Sequence, residues 1–290
     1  MIPSAAGSHA GLKRDHNEDA YVANEQLGLW LVADGVGGHA NGEVAASIVR
    51  DTIVSNVASG ARLVDAIQYA HSAVLDEIRN RNGKSNMGST VVALIIKGDQ
   101  YQIAWVGDSR AYLFDGHLTR LTRDHSPVSE MLANGDITAQ QAARHPERHV
   151  LSQSLGVSEK NEIRPDTIEG TFEPGQQFLL CSDGLSDELD DKAMSRAISG
   201  ASTPQQQISA LIAAALESGG NDNVSAVIVG DVASATDAAN DRSASTRPDL
   251  EKTQDIGTPS NLRQPRARSH LVLLGIIVIA SLLAAIIWIL

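Results

Sequence analysis

Leu31-Val32-Ala33-Asp34-Gly35-Val36-Gly37-Gly38-His39 is the stretch on which the reading of the chain turns. Leu29 to Ala33 is a short apolar run of the kind that fills a buried strand, and it stops at Asp34, with glycine at three of the next four positions. A carboxylate at the mouth of a buried strand needs a partner. Glycines beside it let backbone approach a ligand closely, so the Gly35 carbonyl is a candidate ligand next to Asp34. The plainer reading is a strand closed by an Asp-Gly turn. Further along the chain the same setting recurs: Asp108 follows Trp105-Val106-Gly107, Asp183 follows Leu179-Leu180-Cys181-Ser182, and Asp222 stands just before an apolar strand. Glu18 and Asp19 add two more. Carboxylates converging in one place repel one another unless cations neutralise them, and all-oxygen ligation selects hard metals such as Mg²⁺ or Mn²⁺.

With 290 residues, 42% hydrophobic and 20% charged, the composition is that of a globular protein. Aromatic residues make up only 3%, so the core must be built from Val, Ile, Leu and Ala. Six of the 23 Lys/Arg and five of the 35 Asp/Glu fall from Val232 onward, which leaves 17 against 30 before it and a net charge of −13 there. That balance argues against a nucleic-acid partner and suits a cation-binding protein. One cysteine, Cys181, rules out an intramolecular disulfide and fits a reducing compartment, where it fills core space. Residues 1–16 are polar and have no apolar stretch behind Lys13 and Arg14, so no signal peptide is expected.

Apolar periodicity predicts helices over 42–58, 62–81, 190–198 and 205–217, the last started by Thr203-Pro204. Short strands are expected on either side of the polar segment from Gly11 to Asp19, the second over 20–24, and further strands over 89–97, 101–106, 111–114, 118–121, 177–182 and 224–229, with turns at Gly98-Asp99 and Asp115-Gly116. Residues 124–157 loosen into short helical pieces carrying His125, His145 and His149, an excursion beside the sheet. Runs of strands interrupted by paired helices indicate an α+β domain, with antiparallel sheets sandwiched between helical layers. Residues 233–270 are rich in Ala, Ser, Thr, Asp, Arg and Pro without periodicity and read as a disordered tether. Residues 271–290 carry no charge and are long enough for a single transmembrane helix. Arg263, Arg266 and Arg268 just before it place the N-terminal side in the cytoplasm. The expected organisation is thus a folded domain over 1–232, a tether, and an anchor in the cell membrane.

Taken in order, Arg14-x-x-Asn17-Glu18-Asp19, Asp34-Gly35-Val36-Gly37-Gly38, Met87-Gly88-Ser89-Thr90, Val106-Gly107-Asp108-Ser109-Arg110, Ser182-Asp183-Gly184-Leu185 and Asn221-Asp222-Asn223 resemble the successive motifs of the metal-dependent Ser/Thr protein phosphatases, the PPM or type 2C family, in its bacterial form. The resemblance covers residues 7–230. It implies a β-sandwich flanked by helices, two Mn²⁺ or Mg²⁺ ions and a third in bacterial members. Position by position, Asp34 would bridge two ions, with the Gly35 carbonyl on one of them. Asp183 and Asp222 would complete the shell of the first ion, Glu18 would hold metal-bound water, and Asp108 with Asp183 would take the third ion. Arg14 would meet the phosphate bidentately. The implied reaction is hydrolysis of phosphoserine or phosphothreonine by direct attack of a metal-bridging water or hydroxide, without a phosphoenzyme. Its partners would be phosphorylated proteins, the substrates of a Ser/Thr kinase. Val36 departs from relatives that carry a histidine as proton donor there. His39 is the candidate in its place, against the plainer reading of a turn residue. The excursion resembles the family's variable flap, its histidines structural or substrate-contacting. The alternative is a catalytically silent phosphatase-like binding module at the membrane; a two-metal nuclease is disfavoured by the acidic surface.

Overall fold

Two antiparallel sheets lie face to face in the computed structural model, which describes residues 1–37, 41–81, 86–157 and 163–231. The first sheet has the order β1 (Ser4–His9), β11 (Val224–Val229), β10 (Gln177–Cys181), β7 (Arg110–Phe114), β8 (Leu118–Arg120). The second runs β2 (Asp19–Asn24), β3 (Leu29–Val36), β5 (Val91–Lys97), β6 (Gln100–Val106), β9 (Asp166–Thr171), with the two-residue β4 (Gly88–Ser89) paired to the end of β3. Helices α1 (Asn41–Ala58) and α2 (Leu63–Asn80) cover the second sheet. Helices α5 (Asp183–Ser186), α6 (Asp191–Ser199) and α7 (Pro204–Ser218) cover the first. Short helices α3 (Pro127–Asn134) and α4 (Ala139–Ala142) belong to the excursion.

The alternation of side chains along a strand explains how a single run serves two cores. On β3, Leu29, Leu31 and Ala33 pack with α1 and α2, whereas Trp30 and Val32 pack between the sheets against Phe178, Leu180 and Val227. A strand covered on both faces must be apolar at every position, which is why Leu29 to Ala33 shows no polar alternation. Cys181 sits in the core under α5–α7, its thiol pushed up to about 12 by burial.

The expected elements are present with shifts of a few residues, and the α+β sandwich stands as predicted. Two elements were not foreseen. Strand β9 pairs with β6 at the sheet edge, and its sequence Asp-Thr-Ile-Glu-Gly-Thr is too polar to signal a strand. Helix α5 is a single turn, too short to show a period. The strand expected over 89–97 is interrupted at Thr90, whose N–H donates to the Asp34 carbonyl (2.8 Å). Among the described residues no helix is long and apolar enough to cross a membrane. The predicted tether and anchor, and His39, lie outside the described residues.

Candidate metal centre

Both sheets end on the same cluster of carboxylates. Asp34 lies near the end of β3 and opposite Asp19 in the β2–β3 register. Its main chain is clamped: the Asp34 N–H donates to Thr90 Oγ1 (3.1 Å), and Ser89 Oγ donates to the Asp34 carbonyl (3.1 Å). The Thr90 and Ser109 hydroxyls share a hydrogen bond of 2.7 Å, which ties the Gly88-Ser89-Thr90 segment to the Asp108 turn. Gly107 at φ 104° makes that turn possible, since a side chain there would collide with Thr90. Asp183 opens α5, where β10 ends.

Glu18, Gly35 and Gly42 crowd together beside Asp34. A Cβ on Gly35 would lie 2.1 Å from the Gly42 carbonyl oxygen and 2.7 Å from that of Glu18, and one on Gly42 would lie 2.8 Å from Glu18 Oε2. Neither glycine has room for a side chain. Asn223 anchors the loop that brings Arg14 and Glu18 to the cluster: its Nδ2 donates to the Ala10 and His16 carbonyls (2.9 Å each), and its Oδ1 accepts from the Glu18 N–H (2.7 Å). Arg14 Nη2 donates to Asp222 Oδ2 at 2.5 Å, so the guanidinium rests on a predicted ligand.

The electrostatics are those of a site short of positive charge. Burial, then the charges of Asp19, Asp183 and Asp108, pushes Asp34 well above the usual carboxylate range. Burial, with Asp183 and Asp222 nearby, raises Asp19 to about 7 despite hydrogen bonds from Ser225 and Ser182. Asp108 rises to about 8 through burial, Asp183 and Asp124, and Asp183 is raised by burial and Asp187. Asp19 Oδ1 and Asp183 Oδ1 are buried and meet no hydrogen-bond donor among the described residues. Orphaned carboxylate oxygens in a crowded, desolvated group are what a hard cation satisfies, so the residues present fit Mg²⁺ or Mn²⁺.

The structure therefore brings together Asp34, Gly35, Asp183, Asp222, Glu18, Asp108 and Arg14. Sequence reasoning counted Asp19 among the converging carboxylates without giving it a role, and gave Asn223 none. The place of Asp19 beside Asp34 follows once β2 and β3 are set in register. His125 is structural: it is buried, stacked on Trp105, accepts from the Gly107 N–H through Nδ1 (3.2 Å) and faces Asp166 through Nε2 (3.3 Å). His149 sits closer to the centre than the excursion suggested. Its Nδ1 is 3.2 Å from Asp187 Oδ2, and ligand atoms of His149, Asp183 and Asp187 lie within 4.8 Å of one another.

Residues 6–217 match the family model described as protein phosphatase 2C. The chain belongs to the protein phosphatase 2C family. Among curated relatives, the serine/threonine protein phosphatase PstP of Mycobacterium tuberculosis is 36% identical over 241 residues, which are 80% of this chain and 45% of PstP. The chain thus spans less than half the length of that relative. The serine/threonine phosphatase stp of Listeria monocytogenes is 33% identical over 76% of this chain and 92% of its own length. Of solved structures, that of M. tuberculosis PstP/Ppp superposes with a TM-score of 0.73 at 33% identity, covering 79% of this chain and 98% of the other. The PstP catalytic domain in complex with two manganese ions gives a TM-score of 0.70 at 32% identity, over 79% and 99% of the two chains. The type 2C sandwich expected from the ordered motifs is the fold observed.

Proposed function

We propose that this chain is a metal-dependent protein serine/threonine phosphatase, held at the cell membrane by residues 271–290 with its catalytic domain in the cytoplasm. The observation that carries the catalytic reading is the convergence of Asp19, Asp34, Asp108 and Asp183 with two orphaned carboxylate oxygens. Asp34, the Gly35 carbonyl, Asp183 and Asp222 would hold two ions, with Glu18 acting through water and Asp108 and Asp183 serving a third. When bound, Mn²⁺ or Mg²⁺ supplies a nucleophile at neutral pH and neutralises charge on the phosphoryl group.

The protein's own contribution is placement. Thr90 and Ser89, with Ser109 bonded behind Thr90, hold the Asp34 main chain, which sets the point from which its carboxylate extends. Asn223 fixes the loop from which Arg14 extends. Arg14 is exposed and hydrogen-bonded to the cluster through Asp222. Turned from Asp222 to the substrate, its planar fork binds two phosphoryl oxygens and orients the ester. His39 is the residue offered as proton donor to the leaving Ser or Thr oxygen.

The test is hydrolysis of a phosphothreonine peptide with and without Mn²⁺, with Asp34→Ala as control. Release of phosphate that needs Mn²⁺ and is lost in Asp34→Ala is the expected result. Background activity at excess Mn²⁺ would favour the silent binding module instead. Deleting residues 233–290 leaves hydrolysis in solution intact and releases the protein from membranes.

A further inference from the structure

Between the excursion helices α3 and α4 and the short helix α5 lies a cavity of about 340 Å³. Three guanidinium groups line it, those of Arg110, Arg120 and Arg148, against two carboxylates, Asp124 and Asp187. The local formal charge is therefore positive, in a domain that is strongly acidic as a whole. Asp124 is committed on both oxygens: Arg110 donates to it through Nε (3.2 Å) and Nη2 (2.9 Å), and Arg120 Nη2 donates to Oδ1. Asp187 is shared with His149. The exposed Arg148 guanidinium faces the Asp187 charge, which His149 and Arg110 face as well, but makes no hydrogen bond to any described residue. The cavity thus holds more N–H donors than its own acceptors can satisfy, which is the condition for an anion site.

Its position sets what that anion belongs to. The Asp187 N–H donates to the Asp183 carbonyl (2.8 Å), and carboxylate oxygens of the two residues lie within 4.8 Å of each other, so the cavity borders the carboxylate cluster. An extended peptide advances about 3.3 Å per residue, so a group in the cavity would sit about one to three residues from a phosphoryl group at the cluster. We propose that this cavity is a substrate subsite that takes an anionic side chain, a carboxylate or a second phosphoryl group, flanking the phosphorylated Ser or Thr. The site rests on the phosphatase reading above and deepens it: the preferred substrates are acidic or multiply phosphorylated segments.

The experiment uses the full-length protein with Mn²⁺ and phosphothreonine peptides whose flanks are alanine except for one glutamate, placed at each flanking position in turn. A matching set carries phosphoserine in place of glutamate and separates the two sources of negative charge. One register is expected to raise kcat/KM about tenfold over the all-alanine parent, the scale of one charge-assisted hydrogen bond. Arg148→Gln removes that gain while leaving the parent peptide and p-nitrophenyl phosphate unchanged. Ala143→Glu, which sets a carboxylate at an exposed position on the cavity wall, removes it as well. A gain in no register, or one that survives both variants, overturns the subsite while leaving the phosphatase reading intact. If neither the parent peptide nor p-nitrophenyl phosphate is hydrolysed, both fall.

Discussion

Asn223→Ala tests whether the site is held by the N-terminal loop. The Asn223 side chain is nearly buried and makes three hydrogen bonds, two from Nδ2 to the Ala10 and His16 carbonyls and one to Oδ1 from the Glu18 N–H. Truncation leaves three main-chain groups without their partner. An unsatisfied buried group costs about 1–3 kcal/mol, but the loop from Leu12 to His16 is exposed and water can replace part of what is lost, so the net cost is about 3 kcal/mol. For a domain of this size that corresponds to a fall in Tm of about 6–12 °C. The same loop carries Arg14 and Glu18, so kcat/KM on a phosphopeptide falls by about a hundredfold, the cost of an ångström-scale misplacement. Thermal denaturation and steady-state kinetics below the new Tm read the two effects separately. Full activity in a destabilised variant would refute the claim that Asn223 positions Arg14 and Glu18. Unchanged stability would refute the account of the three bonds themselves.

Two further outcomes follow from the carboxylates and the glycines. Asp19 and Asp108 titrate near 7 and 8 in the folded protein against 3.8 in the unfolded chain. Between about pH 4 and about pH 8 the folded state therefore holds more protons than the unfolded one, and metal-free stability declines as pH rises through that window. In EDTA the Tm is expected to be lower at about pH 8 than at about pH 5, and Asp34→Asn, by removing one buried charge, raises it at the alkaline end; a Tm that climbs with pH would contradict this. Gly35→Ala would force a Cβ to within 2.1 Å of the Gly42 carbonyl oxygen, so it separates β3 from α1 and lowers Tm and Mn²⁺ affinity together. Calorimetry that finds Mn²⁺ affinity unchanged would show that the contact relaxes without disturbing the site.

Most of the framework was legible because burial leaves a periodic trace. Strands covered on both faces show as continuous apolar runs, and α2, with Leu63, Ala66, Ile67, Ala70 and Val74 buried, shows its face at helical spacing. Where burial is slight the trace vanishes, as in the polar edge strand β9 and the single turn of α5. Asp34, Asp108 and Asp183 were legible because each ends or follows an apolar segment. Asp19 begins a strand, and its membership depends on pairing with Asp34 across the sheet. Asn223 acts through three bonds to a loop some two hundred residues away in sequence, which no local pattern records. The pairing of His149 with Asp187 is likewise a product of tertiary folding.

Strand β3 packs one set of side chains under α1 and α2 and the other between the sheets, and it ends in Asp34. A loosening of either core is thus expected to reach, along this one strand, the residue proposed to hold the cations. Metal affinity in this protein is for that reason a gauge of its packing. Leu31→Val on one face or Trp30→Phe on the other, both well back along the strand, is expected to register as a weaker hold on Mn²⁺, and a bound cation in turn braces both cores by mass action.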